Sequence, residues 1–399
     1  RDFGAYTRPV PKRFMTYSRT IGGIAMRRRE TVSSSQMAVL FLSFSIGSAI
    51  IYIPNLMIEL SRNAAWLAIA ISTIWGALVL GCILYLSRQY PGLNFIEYSR
   101  KTLGSRIAFV IGILFVFMVL TMLVLIVISI GDFFVASMMN ETPPYVFNFM
   151  TLLLAAFTAQ AGIEVMSRMY TILLAVLLVI VYVIYLIAMP HYHPEQLLPL
   201  FPHGLKPLLH GIFYASGFPF GEVALFAMLF PFVRAEGRRS ALGKVMFLGL
   251  GVSGTTLALS MLVTVMVLGP LAPEREYSLY GVAQIVSIYD ILERIESIVG
   301  IALIAGSYMK AAVVLYVLNL TLSRLCRLKD EKILIFPLAV LSMLLTVTIY
   351  PNDMAYTDAV AKILPLMSLT LGAIPVVLVA VIAFIKEKIN NRRRQAAQS

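Results

Sequence analysis

About ten long apolar runs, nearly free of charged residues, recur along this 399-residue chain. Most reach the roughly 20 residues that an α-helix needs to cross a hydrocarbon core about 30 Å thick. Helices satisfy every backbone amide inside a bilayer, whereas a membrane β-barrel would show alternating segments of ~10 residues, which are not found. Only 13% of the residues are charged, against about a quarter in soluble domains. We therefore predict an all-α polytopic membrane protein with spans at 35–58, 64–87, 106–137, 145–161, 170–189, 211–233, 243–269, 297–322, 333–350 and 363–387.

The distribution of basic residues predicts the orientation of these spans. If the N-terminus is cytoplasmic, 26 of the 32 Lys and Arg residues fall in cytoplasmic segments and 5 in outer segments. The one that remains, Lys310, lies within a span. Because basic loops stay on the cytoplasmic side, we expect both termini to be cytoplasmic. The same asymmetry accounts for the net charge of +12 without any binding of nucleic acid.

Two interrupted spans divide the chain into related halves. Glycine costs a helix interior about 1 kcal/mol and proline about 3 kcal/mol, so a stretch that combines them predicts a break. Such stretches are Ile46-Gly47-Ser48-Ala49 in the first span, followed by Pro54, and Ser216-Gly217-Phe218-Pro219-Phe220 in the sixth. They lie five spans apart, an odd number, so the second half enters the membrane from the opposite side. An inverted 5+5 repeat with broken helices 1 and 6 is typical of LeuT-like folds.

This pattern also predicts the order of segments along the chain. We expect a basic N-terminal extension without regular structure, a first five-helix repeat, an outer loop, a second five-helix repeat and a basic C-terminal tail. Their predicted bounds are 1–30, 31–190, 191–210, 211–388 and 389–399.

The two breaks would expose backbone dipoles to one shared cavity. Free amides at the start of a half-helix favour a carboxylate, and free carbonyls at the end of one favour an ammonium group or a cation. A site between two breaks therefore suits a small zwitterion such as an amino acid. We predict binding residues in both walls: Ile46, Gly47, Ser48 and Ala49 in the first, and Ser216, Gly217, Phe218, Pro219 and Phe220 in the second. The two phenylalanine rings either cap an apolar ligand side chain or face lipid.

Lys310 lies in the middle of the eighth span. Ionisable residues inside the membrane are costly and usually functional. The ammonium group either takes the place of a bound cation or neutralises Glu222, just past the sixth-span break; a lysine that extends to the membrane surface is the structural alternative. Glu222 has its own structural alternative, as a cap of the second half-helix. We assign Lys310 and Glu222 to coupling or gating.

Other polar groups have structural interpretations. Glu164 and Arg168, four residues apart beside a predicted cytoplasmic turn, form either a simple helix ion pair or a lock on that turn. The four histidines lie around outer span ends without the spacing of a zinc site such as H-E-x-x-H. Two cysteines alone do not make a zinc site. We therefore expect no metal, no cofactor and no catalytic residues, and hence no enzyme.

Four short stretches carry a family resemblance. They are Ile46–Pro54 in the first span, Gly162–Arg168 at the fourth turn, Phe218–Glu222 in the sixth span and Asp290–Glu296 before the eighth. They resemble the spore germination permeases, which are the B subunits of endospore nutrient germinant receptors and belong to the amino acid–polyamine–organocation superfamily. The resemblance covers roughly residues 31–388. The Gly-Ile-Glu-x-x-x-Arg turn and the Glu-Arg-Ile-Glu segment point to this subfamily, whereas many transporters share the glycine break.

The resemblance implies a function and partners. Family members bind a nutrient germinant, often an amino acid, in the inner membrane of the dormant spore, and they act with A and C subunits. It implies that Gly47 is the binding glycine of the first helix, and that Ser307 and Tyr308 lie where the family has further ligand contacts. The first hypothesis is thus a sensor that binds a germinant between helices 1 and 6 and signals germination. The alternative is a secondary amino-acid transporter coupled to protons or sodium.

Overall fold

The computed structural model describes residues 30–202, 204–234, 239–275, 277–285, 295–328, 330–350 and 353–396. Within these ranges nearly all regular structure is helical, and the β structure consists of one bridge between Val32 and Val233. The predicted extension at 1–30 lies outside the described residues except for Glu30. Most of the Asp290–Glu296 stretch lies outside them as well.

The described residues of the first half of the chain form seven α-helices. They are α1 (Ser34–Ile46), α2 (Ala49–Ser61), α3 (Ala65–Gln89), α4 (Phe95–Leu103), α5 (Ser105–Ser137), α6 (Pro144–Ala161) and α7 (Ile163–Ile187). The predicted third span is confirmed as unusually long, because α5 has 33 residues. The predicted spans did not include α4, a nine-residue helix that is too short and too polar to cross a membrane.

The second half repeats this arrangement with more interruptions. Its α-helices are α8 (Lys206–Gly217), α9 (Phe226–Leu229), α10 (Arg239–Leu268), α11 (Ser278–Ile285), α12 (Ile295–Leu325), α13 (Ile335–Thr348), α14 (Asp353–Asp358), α15 (Leu364–Met367) and α16 (Ile374–Ala396). Short 3-10 turns at Gly221–Leu225 and Phe230–Phe232 flank α9. Wider π-helical turns at Ala359–Ile363 and Ser368–Ala373 flank α15, which contains Pro365.

Eight helical stretches in the described part of the chain are long and apolar enough to cross a membrane. One of them, Ala49–Gln89, combines α2 and α3, which are separated at Arg62 by a backbone φ of 52° and a 3-10 turn. Two shorter apolar helices, α1 and α13, complete the set. Taken with α1 and α2 as the two halves of one span, these helices give about ten spans, and the predicted all-α polytopic fold is confirmed.

Both predicted helix breaks are present. α1 ends at Ile46, and α2 begins at Ala49 after two residues, Gly47 and Ser48, that lie outside the helices. In the second half, α8 ends at Gly217 and the chain becomes extended at Phe218, with φ −125° and ψ 113°. The broken helices 1 and 6 of a LeuT-like fold are therefore confirmed.

The breaks lie at the centre of the helix packing. α12 packs against α1, α5, α6 and α7, and α10 packs against α1 and α3. Large apolar side chains are exposed on the outward faces of α5, α6 and α7, as expected of surfaces that face lipid. By contrast, Ser48, Glu222 and Lys310 are almost completely buried between the helices. The candidate site is thus shielded from lipid on all sides.

Candidate ligand site at the helix breaks

The first helix break lies where α1 crosses α12 at close range. A Cβ atom added at Gly47 would lie 2.9 Å from the carbonyl oxygen of Gly306 and 2.9 Å from Cβ of Lys310. A Cβ added at Gly306 would lie 3.2 Å from the carbonyl oxygen of Gly47 and 2.7 Å from Cδ1 of Leu177. The two glycines therefore allow a backbone approach that no side chain would permit. Gly47 faces α12 and not open space.

Lys310 and Glu222 form an ion pair beside this crossing. Nζ of Lys310 donates a hydrogen bond to Oε2 of Glu222 at 2.6 Å, and both side chains have 0% exposure. Removing two charges from water costs several kcal/mol per ion, which only a close and well-oriented counter-charge offsets. The pair joins α12 to the 3-10 turn Gly221–Leu225 beyond the second break. Lys310 therefore neutralises Glu222 and does not extend to the membrane surface.

Two aromatic rings complete the surroundings of this ammonium group. Nζ of Lys310 lies 4.4 Å from the ring centroid of Phe218 and 5.1 Å from that of Phe44. A cation within about 6 Å of a ring face is attracted by the ring quadrupole, and more strongly where water is absent. Phe44 belongs to α1 and Phe218 to the second break. The Lys310 ammonium group therefore contacts both broken helices.

Phe218 also lines a small cavity to which both breaks contribute. Ser48 from the first break and Phe218 from the second face it together with residues of α5 and of the last span: Leu125, Ile126, Ser129, Tyr356, Val360 and Leu364. Tyr52 of α2 completes the lining. The cavity has a volume of about 20 Å³, which is room for about one water molecule. The two breaks therefore share a cavity, but its volume is smaller than that of an amino acid.

Two contacts fix the position of Tyr52 beside this cavity. Its hydroxyl donates a hydrogen bond to the backbone carbonyl of Ser129 in α5. Its ring packs edge-on against Tyr277 at 5.7 Å, and Tyr277 packs in turn against Phe133 at 4.8 Å. A series of aromatic rings thus extends from the cavity towards α11. A ligand larger than water requires the lining side chains to move.

Several buried polar atoms near the breaks have no hydrogen-bond partner among the described residues. They are Oγ of Ser48, the hydroxyl of Tyr214, Oε1 of Glu222 and Oγ of Ser307. Most buried polar atoms in proteins are paired, and each exception calls for a water, a ligand or a functional reason. Tyr214 packs edge-on against Phe218 at 6.2 Å. The helix breaks therefore offer unused hydrogen-bonding capacity close to the shared cavity.

The remaining predicted wall residues do not line this cavity. Ile46, Ala49, Pro219 and Phe220 are buried, whereas Ser216 is half-buried. A Cβ added at Gly217 would lie 2.2 Å from the carbonyl oxygen of Pro365, so Gly217 permits close contact with the last span. Phe220 packs against Gly76 of α3, where an added Cβ would lie 2.9 Å from its ring. Phe220 therefore faces neither lipid nor the cavity, and a binding role for these residues stays a prediction.

The eighth-span residues point in different directions. The Tyr308 hydroxyl shares a hydrogen bond with Oγ1 of Thr158 in α6 at 2.5 Å. Ser307 is fully buried, and Lys310 faces the broken helices. Tyr308 is thus engaged with α6, and its predicted ligand contact is untested.

The turn between α6 and α7 contains the predicted pair. Nη2 of Arg168 lies 2.5 Å from Oε1 of Glu164, and the two side chains are 68% and 35% exposed. An exposed i, i+4 pair contributes only a few tenths of a kcal/mol. The turn itself depends on Gly162, whose φ of 97° suits glycine. We therefore favour the interpretation of a simple helix pair.

The outer loop has one histidine in contact with an acid. Nδ1 of His193 lies 2.9 Å from Oε1 of Glu195. The pKa of Glu195 is lowered from its ordinary value, first because its carboxylate accepts a hydrogen bond from its own backbone amide and then because of His193. In the described part of the chain, no three His, Cys, Asp or Glu side chains cluster as they would to hold a metal ion.

Most contributors to the site were absent from the sequence predictions, which named only Ser48 and Phe218 among the residues that line the cavity. Phe44 could have been noticed, since it lies one helical turn before Gly47 on the break side of α1. Tyr52 and Tyr356 gave no such signal, because each meets the cavity only through packing between distant parts of the chain.

The sequence matches a family model. The family is described as "Spore germination protein", and the match spans residues 31–354. The chain belongs to the spore germination protein family. Within this family it is similar to spore germination protein KB of Bacillus subtilis (strain 168), with 23% identity over 339 residues that cover 84% of this chain and 89% of the relative. It is also similar to spore germination protein XB of Bacillus anthracis, with 21% identity, covering 70% of this chain and 77% of the relative.

Solved transporter structures share the fold of this family member. The structure of MhsT in complex with L-phenylalanine superposes with a TM-score of 0.64 at 16% identity, covering 89% of this chain and 100% of MhsT. A sodium-coupled sialic acid symporter in an outward-open state gives a TM-score of 0.66 at 13% identity, covering 86% of this chain and 79% of the symporter. Relatives and fold together support a germinant receptor or permease-like multi-pass membrane protein.

Proposed function

We propose that this chain is the membrane subunit of a spore germinant receptor and that it binds a small nutrient, an amino acid, between the first and sixth helices. The observation that carries the proposal is the shared cavity, to which Ser48 of the first break and Phe218 of the second both contribute. The similarity to spore germination proteins supports the receptor role. That MhsT has the same fold and is complexed with L-phenylalanine supports an amino acid as ligand.

The chemistry of the lining fits a small amino acid with an apolar side chain. Ser48 offers a buried hydroxyl that has no hydrogen-bond partner among the described residues. The ring of Phe218 and the side chains of Leu125, Val360 and Leu364 form an apolar surface. Because the cavity holds about one water molecule, binding requires a rearrangement of the lining.

The proposal gives the Lys310–Glu222 pair a part in signalling. Phe218 touches the cavity on one side and the Lys310 ammonium group on the other. A ligand that displaces the Phe218 ring therefore changes the cation–π contact and the environment of the ion pair, which connects α12 to the second break. The ligand would thus shift the protein between two states that associated subunits detect.

Because the Lys310 ammonium group already neutralises Glu222, no sodium ion is needed as a counter-charge there, and ligand binding should not require sodium. Replacing sodium chloride with N-methyl-D-glucamine chloride should leave the affinity of the purified protein for its nutrient unchanged. Isothermal titration in each buffer measures this. A tenfold loss of affinity without sodium would contradict the proposed role of Lys310.

The central experiment fills the cavity at Ser48. Ser48→Val removes a hydroxyl that has no partner and adds methyl groups to a space of about 20 Å³. The fold should tolerate the change, because replacing an unsatisfied buried hydroxyl by an apolar group is nearly neutral. We expect spores with this variant to lose their response to one amino acid in a panel of amino acids and sugars, while the subunit accumulates normally on immunoblots.

Ser43→Ala is the matched control. Ser43 is a buried serine without a hydroxyl partner on the neighbouring turn of α1, and it does not line the cavity. Its spores should germinate as the wild type does. A normal dose–response for every nutrient in Ser48→Val spores, at normal subunit level, would remove the cavity from the proposal.

The receptor role includes two further expectations that come from the family resemblance. The chain should reside in the inner membrane of the spore and assemble with A and C subunits. Affinity purification of this subunit from detergent-solubilised spore membranes should recover both. Recovery of the subunit alone from spores that still germinate would contradict the proposed complex.

A secondary amino-acid transporter is the alternative. The solved structures that share the fold include a sodium-coupled symporter, and a sensor and a transporter can share one pocket. Purified protein in liposomes tests this directly. Uptake of a labelled amino acid above that of Ser48→Val liposomes would favour the transporter, whereas binding without uptake would favour the sensor.

A further inference from the structure

A second and larger cavity lies apart from the helix-break site, at the far end of α2. We call it the outer cleft; its main lining residues are Arg62, Asn63, Gln196, Leu198, Val265 and Gly269. Its volume is about 530 Å³, within the range of about 300–1,000 Å³ that is common for small-molecule sites. It is therefore large enough to hold an amino acid as the structure stands.

Arg62 gives the cleft a positive charge without a counter-charge. Within the described residues its guanidinium makes no hydrogen bond or ion pair, and no acidic side chain lines the cleft. The guanidinium fork matches a carboxylate with two parallel hydrogen bonds. Arg62 also has a φ of 52°, which is uncommon for a residue with a side chain. Such backbone outliers occur preferentially at functional positions.

Gln196 brings a hydrogen-bond acceptor to the same cleft. Its Oε1 is buried and has no hydrogen-bond partner among the described residues. The carboxamide lies directly against Gly269, where an added Cβ would sit 2.2 Å from Oε1 and where φ is 53°. Only glycine leaves room for the amide in this place. Because this oxygen lies against Gly269, the carboxamide must turn toward the cleft before it can accept a hydrogen bond from an ammonium group.

The remaining wall is apolar. Leu198 is 71% exposed, and Val265 and three prolines surround the cleft on the side of α10 and the outer loop. The side-chain amide nitrogen of Asn63 already donates one hydrogen bond to the carbonyl oxygen of Pro199 at 3.1 Å. The cleft thus combines one cation, one buried acceptor and an apolar surface.

We infer that the outer cleft is a second binding site for an α-amino acid. Arg62 binds the carboxylate, Gln196 accepts a hydrogen bond from the ammonium group, and Leu198 and Val265 contact the side chain. The inference rests on the proposed function in one respect: the class of ligand is the one proposed for the cavity at the helix breaks.

Titration of the purified full-length protein in detergent tests the number of sites. L-Alanine, L-valine and L-phenylalanine are the probes, with L-valinamide and isobutylamine as analogues of valine that lack the carboxylate. We expect two sites for at least one amino acid, of which Arg62→Gln removes one and Ser48→Val removes the other. The analogues should bind the outer site at least tenfold more weakly.

Arg62→Lys separates charge from shape, since it keeps the positive charge and loses the planar fork. It should weaken outer binding less than Arg62→Gln does. Because Arg62 is exposed, both variants should unfold at the same temperature as the wild type. Amino-acid binding that Arg62→Gln leaves unchanged would overturn the inference, and so would a complete lack of binding by the three probes.

Cysteine protection locates the ligand independently of the helix-break site. In a Cys82→Ala/Cys326→Ser background, Leu198→Cys places one thiol in the cleft, and its rate of reaction with a charged methanethiosulfonate reagent is measured. The amino acid should slow the reaction at least fivefold, and Arg62→Gln should abolish this protection. Two results together would separate the outer site from the proposed function. If protection depends on Arg62 and persists in Ser48→Val, the outer site is supported. If spores with Ser48→Val also germinate normally, the proposed function is refuted.

A phospholipid headgroup is the competing occupant, because its phosphate would also bind Arg62. The protection measurement is therefore repeated with a dioleoyl phosphatidylglycerol supplement. Slower labelling by this lipid, combined with no effect of the amino acids, would assign the cleft to lipid and overturn the inference.

Discussion

Among single residues, Lys310 and Glu222 depend most strongly on each other. Both are fully buried, and their contact of 2.6 Å is the means by which either charge is tolerated there. Lys310→Met leaves a buried carboxylate without its partner, and we expect the free energy of unfolding to fall by about 3–5 kcal/mol. Lys310→Met combined with Glu222→Leu should recover most of that loss. Thermal unfolding in detergent measures all three proteins.

An exposed pair provides the control for this prediction. Nζ of Lys362 lies 2.7 Å from Oδ1 of Asp358, but the two side chains are 74% and 56% exposed. Lys362→Met should therefore change the stability by less than about 1 kcal/mol. Equal losses for Lys310→Met and Lys362→Met would show that burial does not determine the strength of the central pair.

Gly47 and Gly306 set the distance between α1 and α12. Gly47→Ala would bring a Cβ to 2.9 Å from the Gly306 carbonyl oxygen, a backbone atom that cannot rotate away. We expect a loss of about 1–3 kcal/mol from overpacking. Gly251→Ala in α10 is the control, since an added Cβ there meets nothing within 4 Å and alanine favours a helix. A Gly47→Ala protein that unfolds at the wild-type temperature would disprove the close crossing.

Among the elements, α4 connects the two halves of the chain at one membrane surface. The backbone amide of Glu97 donates a hydrogen bond to Oδ1 of Asn94 at 3.0 Å, which caps the first turn of α4. The backbone amide of Asn94 donates in turn to Oε2 of Glu97 at 3.0 Å. Oε1 of Glu97 also lies 3.3 Å from Arg324 at the end of α12. Arg324 reaches Glu331 at 2.5 Å as well. One carboxylate thus both completes a helix cap and anchors α12.

Asn94→Ala should loosen α4 as a unit. Loss of a cap costs about 1 kcal/mol, and the first amides of α4 should exchange with deuterium several-fold faster. Mass spectrometry of peptides from 95–103 measures this, with α6 as an internal reference that should not change. Lys101→Ala, on the exposed side of the same helix, is the control variant. Unchanged exchange in Asn94→Ala would mean that tertiary contacts alone hold α4 in place.

The sequence predicted those features of these elements that depend on residues close together in the chain, and it missed those that depend on tertiary packing. Glycine and proline act on their own turn of helix, so the breaks after Ile46 and Gly217 were predictable to within a few residues. The π-helical turns around Pro365 and the helix α4 were missed, because each is short and stabilised by packing. The sequence analysis paired Lys310 with Glu222 as one of three options, since two costly charges in membrane spans need each other.

The binding residues were less predictable than the breaks. Being near a break along the chain does not determine which way a side chain points, and Gly217 and Phe220 contact Pro365 and Gly76 away from the cavity. Tyr52 reaches Ser129 across 77 residues of sequence, a contact that no local pattern encodes. The position of the site was thus fixed by backbone chemistry, and its composition by tertiary packing.

For the whole molecule, the proposed receptor role combines a transporter fold with a cavity too small for an amino acid. The fold is shared with MhsT and a sodium-coupled symporter, whereas the sequence belongs to the spore germination family. A ligand shifts a two-state protein only by its difference in affinity between the states. Under the proposal, the cavity enlarges when the ligand binds, and the Phe218 ring and the ion pair beside it change their contacts.

The orientation of the molecule in the membrane can be tested with a native thiol. Cys326 is exposed and lies in the basic segment after α12, which the distribution of 26 basic residues against 5 assigns to the cytoplasm. In a Cys82→Ala background, an impermeant maleimide should label Cys326 in inverted vesicles and not in right-side-out vesicles. Leu198→Cys in the background that lacks both native cysteines should show the opposite pattern, because an odd number of spans separates the two positions. Labelling of both thiols from one side would contradict the odd span count, and with it the inverted repeat that places the two helix breaks face to face.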